Sequence, residues 1–261
     1  MKILIVSGFL GAGKTTFIKR LARNVDQRFA ILENEYGAAG IDGARLGQNR
    51  QGTQKNVWEM TEQCICCIGK KDFAASVLTI ANVVDPEYLI VEPTGVGSLA
   101  RIIENLRQIE YERIQLLSPV TIVDVYSYRR YMAEYPELYQ DQIRSADTII
   151  VSKTEACQAE EKQRIQKFLQ EINPQAKIIT DYASTMTRED YQSLLLGGRY
   201  EKEVQDTQSG EKMPETFSFE NIRMEAPETL WCFLEQIIRG AFGLSLIHIS
   251  SPRDKRQSRM P

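Results

Sequence analysis

An α/β fold, with a mostly parallel sheet flanked by helices, is predicted by two features of the chain. Short, β-branched apolar runs alternate with segments of helical spacing, the signature of βαβ units. The first unit carries Gly8-Phe-Leu-Gly-Ala-Gly13-Lys14-Thr15-Thr16 between the apolar run Ile3-Leu-Ile-Val6 and the helical stretch Phe17-Ile-Lys-Arg-Leu21. Strand, GxxxxGK[ST], helix is the setting of a phosphate-binding loop, which narrows the class to a P-loop NTPase. In such a loop Gly8, Gly11, Ala12 and Gly13 let the backbone curl until successive N–H groups point into one concavity. Lys14 then reaches the β- and γ-phosphates, the Thr15 hydroxyl ligates Mg²⁺, and the helix N-terminus adds partial positive charge. The plainer alternative is a glycine-rich turn between strand and helix.

The remaining elements follow in order. Arg28-Phe-Ala-Ile-Leu32 reads as a second strand, ending in Glu33-Asn34-Glu35-Tyr36-Gly37. From there to about Lys55 the glycines at 37, 40, 43, 47 and 52 predict a long polar loop, the place for a nucleotide-responsive segment. Asn56 to Met60 suggests a short strand leading to Cys64-Ile-Cys66-Cys67. A helix is expected from Phe73 to Val83, then a strand, Tyr88-Leu-Ile-Val91, ending in Glu92-Pro-Thr-Gly95. A helix from Leu99 to Gln108, a strand Val120-Thr-Ile-Val123 closed by Asp124, and a Tyr- and Arg-rich helical stretch to Arg144 come next. The strand Thr148-Ile-Ile-Val151 delivers Ser152-Lys153-Thr154-Glu155, and the helix Ala159 to Glu171 leads to a strand over Lys177 to Thr180. Residues 1–196 thus form one nucleotide-binding domain, and the Gly-, Gln- and charge-rich residues 197–214 read as a linker. A strand over Glu215–Glu220 and a helix from Pro227 to Arg239 begin a second domain across 215–243.

Residues 244–261 fit neither domain. Back-translated, Leu244-Ser-Leu-Ile-His-Ile-Ser250 matches ctg tct ctt ata cac atc tc, which resembles a transposon end used in preparing sequencing libraries. The basic residues that follow continue the adapter, so this segment is expected to be non-native and the gene truncated near Gly243. The single histidine, His248, falls inside it and is assigned no role. A natural basic tail is the alternative.

Composition excludes several classes. A net charge of −3 over 261 residues makes no electrostatic case for nucleic acid or anionic membrane. No apolar run approaches the roughly 18–20 residues of a membrane span. The N-terminus enters a strand directly, without the pattern of a signal peptide. Five cysteines, three of them clustered, suit a reducing cytoplasm and a thiolate site better than a disulfide framework.

Three constellations carry chemistry. Glu92 ends a buried-looking strand, where ligands bind in open α/β sheets, and a carboxylate there can hold Mg²⁺ through its water shell. Three residues on, Gly95 places a backbone N–H where a γ-phosphate could meet it. Ser152-Lys153-Thr154-Glu155 stands where guanine-specific P-loop proteins carry Asn-Lys-x-Asp. A carboxylate accepting two bonds from the base edge discriminates strongly, because the wrong base leaves polar groups unpaired. Glu155 is one methylene longer than that Asp, and Ser152 replaces the amide, so guanine is preferred over adenine less firmly. Cys64, Cys66 and Cys67 offer soft thiolates suited to Zn²⁺ or Cu(I), provided that a turn makes them converge. Glu33, Glu35 or a water could complete the shell; the alternative is that some of these cysteines are small buried apolar groups.

Taken together, GFLGAGKTT, ENEYG after the second strand, CICC and a strand ending in EPTG resemble the CobW-like family of P-loop GTPases, relatives of UreG and HypB. The resemblance covers about residues 1–185 and, weakly, 215–243, which look like the start of the family's small α+β C-terminal domain, cut short. It implies GTP hydrolysis with Mg²⁺, coupled to handling zinc, cobalt or another divalent transition metal for a client metalloprotein or a cofactor-pathway enzyme. It assigns Lys14, Thr15 and Thr16 to phosphate and Mg²⁺, and Glu92 to the Mg²⁺ side. Cys64, Cys66 and Cys67 become metal ligands, with Glu33 and Glu35 as supplements. The histidine-rich stretch of some members is absent, so bulk metal storage has no support. Two rival readings stay open: a nucleotide-gated binding module that does not hydrolyse, and a thiol redox sensor.

Overall fold

The computed structural model describes residues 1–27, 29–33, 57–61, 70–204 and 227–238. Strand β1 (Lys2–Gly8) passes through the glycine-rich turn into α1 (Lys14–Asn24), followed by β2 (Phe29–Glu33) and β3 (Val57–Thr61). Helix α2 (Lys70–Val83) precedes β4 (Tyr88–Glu92), α3 (Leu99–Arg107), the short β5 (Gln115–Leu116) and β6 (Val120–Asp124). Then come α4 (Tyr128–Glu134), α5 (Pro136–Arg144), β7 (Thr148–Ser152) and α6 (Ala159–Ile172). The domain ends with β8 (Lys177–Ile179), α7 (Tyr182–Thr185) and α8 (Arg188–Leu196).

The strands make one sheet in the order β3-β2-β4-β1-β6-β7-β8, with β5 also beside β1. Every pairing between these strands is parallel. A parallel sheet is covered on both faces, which is why its strands read as unbroken apolar runs. In β1, Ile3 and Ile5 join Leu89 and Val91 of β4 under Val77, Ile80, Leu99 and Ile103 from α2 and α3. The alternate residues, Leu4 and Val6, pack on the other face with Phe17, Ile18 and Leu21 of α1 and with Tyr191 and Leu195 of α8. Side chains alternate across a strand, so one β1 sequence serves both layers. Helices α4, α5 and α6 cover the β6–β7 half of the sheet through Tyr131, Leu138, Ile143, Ile165 and Leu169. The chain leaves central β1 for one side of the sheet and later returns to the other. That reversal opens a crevice at the carboxyl ends of the strands.

Three features depart from the sequence reading. The Tyr- and Arg-rich stretch is two helices, not one: Tyr135 leaves helical geometry (φ −139, ψ 59) where it precedes Pro136. Past β8 the chain forms α7 and α8, the latter started by a capping box between Thr187 and Asp190. Residues 198–204, within the predicted linker, close against the domain. Tyr200 is buried, its N–H donates to Leu116 O at 2.9 Å and its hydroxyl to Ser145 O at 2.8 Å. Lys202 Nζ donates to Arg144 O at 2.8 Å.

The chain divides into two compact units, Met1–Thr216 and Phe217–Pro261. In the second, α9 (Pro227–Ile238) opens with a proline and carries Glu228 in its first turn, both favourable at a helix N-terminus. The strand predicted over 215–220 and the segment 244–261 with His248 lie outside the described residues. Among the described residues no helix is long and apolar enough to cross a membrane.

Buried Asn173, at the end of α6, donates through Nδ2 to Ile143 O (2.8 Å) and Ala146 O (2.9 Å), tying down the end of α5. Replacing it removes both donations, leaving Ile143 O only the Ser145 and Ala146 N–H groups. Asn173→Ala is expected to lower stability by about 2 kcal/mol, read as a shifted urea midpoint at unchanged slope.

Candidate functional site

Because the strands run parallel, their carboxyl ends share one edge. Gly8 of β1 lies there with Glu92 of β4, Asp124 of β6 and Ser152 of β7; Glu33 of β2 is in register with Glu92, and Asp124 with Ser152. The phosphate-loop residues leave this edge in a sharp turn. Gly8 has φ 142, and a Cβ there would stand 2.4 Å from the Ile122 carbonyl oxygen. The turn is closed by Ala12 N donating to Phe9 O at 3.2 Å. Helix α1 then starts with no acidic residue in its first turn, which leaves its positive end uncompensated by its own side chains.

Lys14 is buried, and its Nζ donates to Gly8 O at 3.1 Å and Phe9 O at 3.4 Å. Burial lowers its pKa below the usual lysine value, while the negative charge of Glu92 pulls it back up. A desolvated cation on a rim of backbone N–H groups suits a polyanion. Thr15 and Thr16 are exposed on the first turn of α1. Thr15 Oγ1 donates to Glu92 Oε1 at 2.9 Å, and Glu92 is itself buried. A hydroxyl and a carboxylate in contact at the loop's edge are the hard oxygen donors that Mg²⁺ takes, so this pair fits that ion. The segment after Glu92 returns over the loop: a Cβ on Gly95 would lie 2.4 Å from Leu10 N and 2.8 Å from Leu10 Cα. Gly95 is therefore in backbone contact with the apex of the loop.

On the side expected to meet the base, the buried Ser152 hydroxyl donates to Ala12 O at 2.6 Å and so braces the phosphate loop. Lys153 takes a left-handed conformation (φ 61), and its Nζ meets Asp124 Oδ2 at 2.7 Å. Asp124, 6% exposed in its side chain, also accepts from Tyr126 N (2.8 Å) and Ser127 Oγ (2.9 Å). Glu155 is exposed in the turn before α6.

Several participants carry no local signal in the sequence. Asp124 looks like a mere strand end. Tyr131 reaches Leu10 O at 3.1 Å from a helix far along the chain, and Gln142 Nε2 reaches Gly95 O at 3.1 Å and Gly97 O at 2.9 Å. Cys64, Cys66, Cys67 and Glu35 lie outside the described residues. The backbone of Glu33 ends β2 opposite Thr61 of β3, three positions before Cys64. Among the described residues no cluster of three or more His, Cys, Asp or Glu could hold a metal.

Residues 2–180 match the CobW/HypB/UreG nucleotide-binding domain. Over 178 residues the chain is 30% identical to the zinc chaperone YeiR of Escherichia coli, covering 67% of this chain and 53% of YeiR. It is 27% identical over 186 residues to the zinc chaperone YjiA of the same organism, covering 68% of this chain and 56% of YjiA. The chain thus spans about half the length of the curated relatives it matches. The crystal structure of Zn(II)-bound YjiA GTPase from E. coli is similar in fold, with a TM-score of 0.56 at 20% identity, over 92% of this chain and 78% of that one.

The Gly95–Leu10 contact leaves no room for a methyl group. Gly95→Ala is expected to weaken nucleotide binding by about tenfold or more, while circular dichroism shows the fold retained. Calorimetric affinities equal to those of the parent protein would contradict this geometry.

Proposed function

The chain belongs to the CobW/HypB/UreG nucleotide-binding domain family, and on that footing we propose that it is a slow GTPase that couples its nucleotide state to holding zinc or cobalt for a client protein. The Thr15–Glu92 hydrogen bond carries the reading. It joins the phosphate loop to β4, which pairs with β2, which pairs with β3, the strand leading to Cys64, Cys66 and Cys67. From β4 to β3 is two strand spacings, about 10 Å, so a change at the phosphates has a short route to the strand that precedes the thiolates in sequence.

In this reading Gly11, Ala12, Gly13, Lys14, Thr15 and Thr16 hold the phosphates, and Gly95 meets the third of them. Thr15 and Glu92 would hold Mg²⁺, which supplies charge neutralisation on the phosphates. Lys14 and the loop N–H groups stabilise the same developing charge without having to reorganise. The Lys153 stem, fixed by Asp124, gives the base a surface, and the Glu155 carboxylate gives the guanine edge an acceptor. Slow intrinsic turnover, completed by a partner, belongs to this reading. The transition metal is cargo, taken by Cys64, Cys66 and Cys67 with help from Glu33 or Glu35. Zinc is favoured because YeiR and YjiA are zinc chaperones.

Two measurements test this. Lys14→Ala should cut phosphate release from GTP by about 100-fold or more; turnover equal to the parent's would remove the enzymatic reading. Zinc titrated into the full chain should bind with affinities that differ about tenfold between GDP and a non-hydrolysable GTP analogue. Cys66→Ser should weaken zinc in both states. Identical zinc affinities in the two nucleotide states would sink the coupling and leave the GTPase standing.

A further inference from the structure

The tyrosine- and arginine-rich helix pair α4 and α5 plays no part in the chemistry above, yet it touches both loops of the site. On α4, the Tyr131 hydroxyl donates to Leu10 O at 3.1 Å, and its ring centroid lies 4.2 Å from that of Phe9. Phe9 also packs on Tyr135 and Tyr139, at 5.5 and 5.8 Å, and is 2% exposed. The loop apex is therefore rooted in an aromatic cluster. On α5, Gln142 is 1% exposed and donates Nε2 to Gly95 O (3.1 Å) and Gly97 O (2.9 Å). Its own backbone carbonyl accepts from Thr121 Oγ1 at 2.8 Å, which ties it to β6. Asp141 beside it accepts from Leu99 N at 2.7 Å, fixing the far end of the same segment.

The carboxamide of Gln142 has one orientation available. Turning it over would set its oxygen against two carbonyl oxygens. As it stands, Gln142 Oε1 is buried without a donor among the described residues. An orphaned acceptor costs free energy, and here that cost accompanies a grip on Gly95 and Gly97.

We infer that Tyr131 and Gln142 are positioning residues that set the gap between Leu10 and Gly95, and through it the preference for a nucleoside triphosphate over a diphosphate. The inference rests on the proposed role of Gly8–Thr16 as the phosphate-holding loop. In that proposed role the second phosphate is assigned to N–H groups near Gly13, Lys14 and Thr15, and the anchors' hydrogen bonds go instead to Leu10, Gly95 and Gly97. The same role assigns the third to the place where the loop apex meets the segment after Glu92, and there Gly95 packs on Leu10. Consecutive helices grip the two lips of that gap, α4 through Tyr131 and α5 through Gln142. Releasing either lip loosens the contacts made to the third phosphate and spares those made to the second.

Tyr131→Phe deletes only the hydroxyl and keeps the ring on Phe9; Gln142→Met keeps the volume and removes both donations. Calorimetric dissociation constants are measured on the full chain with Mg²⁺, for GDP and for a non-hydrolysable GTP analogue. The triphosphate should weaken about three- to tenfold in each variant, the worth of a hydrogen bond, with GDP within about twofold of the parent. A purely structural role would lower the melting temperature and leave the ratio of the two constants unchanged, which would overturn the inference. Equal weakening of both nucleotides, or no change in Tyr131→Phe, would overturn it as well. Tyr131→Phe alone decides if Gln142→Met does not fold. A parent protein that binds neither nucleotide would bring down the proposed function itself, a result distinct from the others.

Discussion

The turn that leaves β1 can form only because Gly8 lacks a side chain: a Cβ would enter the Ile122 carbonyl of the neighbouring strand, and φ 142 lies outside the comfortable range of other residues. From that contact the rest of the edge follows. The backbone reverses tightly enough for Lys14 to fold back onto the carbonyls of Gly8 and Phe9, and α1 begins with its N–H groups facing the concavity. Thr15 then stands within reach of Glu92, so that two strands and a helix share one small site. A wider turn would separate these groups and leave the Lys14 ammonium buried without its acceptors.

That ammonium explains what the loop is suited to. Burial disfavours its charged form, and Glu92 offsets the effect only in part. Phosphate oxygens brought to the loop would stabilise the charge further, so anion binding and Lys14 protonation reinforce one another. Asp124 applies the same logic next door, where a nearly buried carboxylate holds Lys153 and two further donors. Charge at this edge is arranged in pairs, and the first turn of α1, with no acidic residue of its own, meets only the Glu92 carboxylate through Thr15.

The sheet and the phosphate loop were legible because both are local patterns. Strands buried on two faces show as contiguous apolar runs, and GxxxxGKT marks a turn between neighbouring elements. Helix α8 went unread because it is mostly polar and its apolar spacing faint, although a capping box between Thr187 and Asp190 starts it. What could not be read is the wiring between distant segments. Ser152, read as part of a base-recognition motif, supports Ala12; Tyr131 and Gln142 reach loops 121 and 47 positions away. Tyr200 seems to belong to a polar linker until its ring is found buried and its hydroxyl bonded to Ser145. Such contacts obey no periodicity, because side-chain partners across a sheet are set by topology. Cys64, Cys66 and Cys67 remain a reading of the sequence, since they lie outside the described residues.

The Ser152–Ala12 bond also has a bearing on how the protein comes into being. The loop is encoded at the very start of the chain, but its brace is 140 positions downstream. With synthesis at about 5–20 residues per second, the nascent loop waits on the order of ten seconds for that hydroxyl to emerge. Strands β4, β6 and β7 must all be in place before the cradle is rigid. A ligand that binds this edge is then received late in maturation and acts as a certificate that the four strands β4, β1, β6 and β7 have assembled.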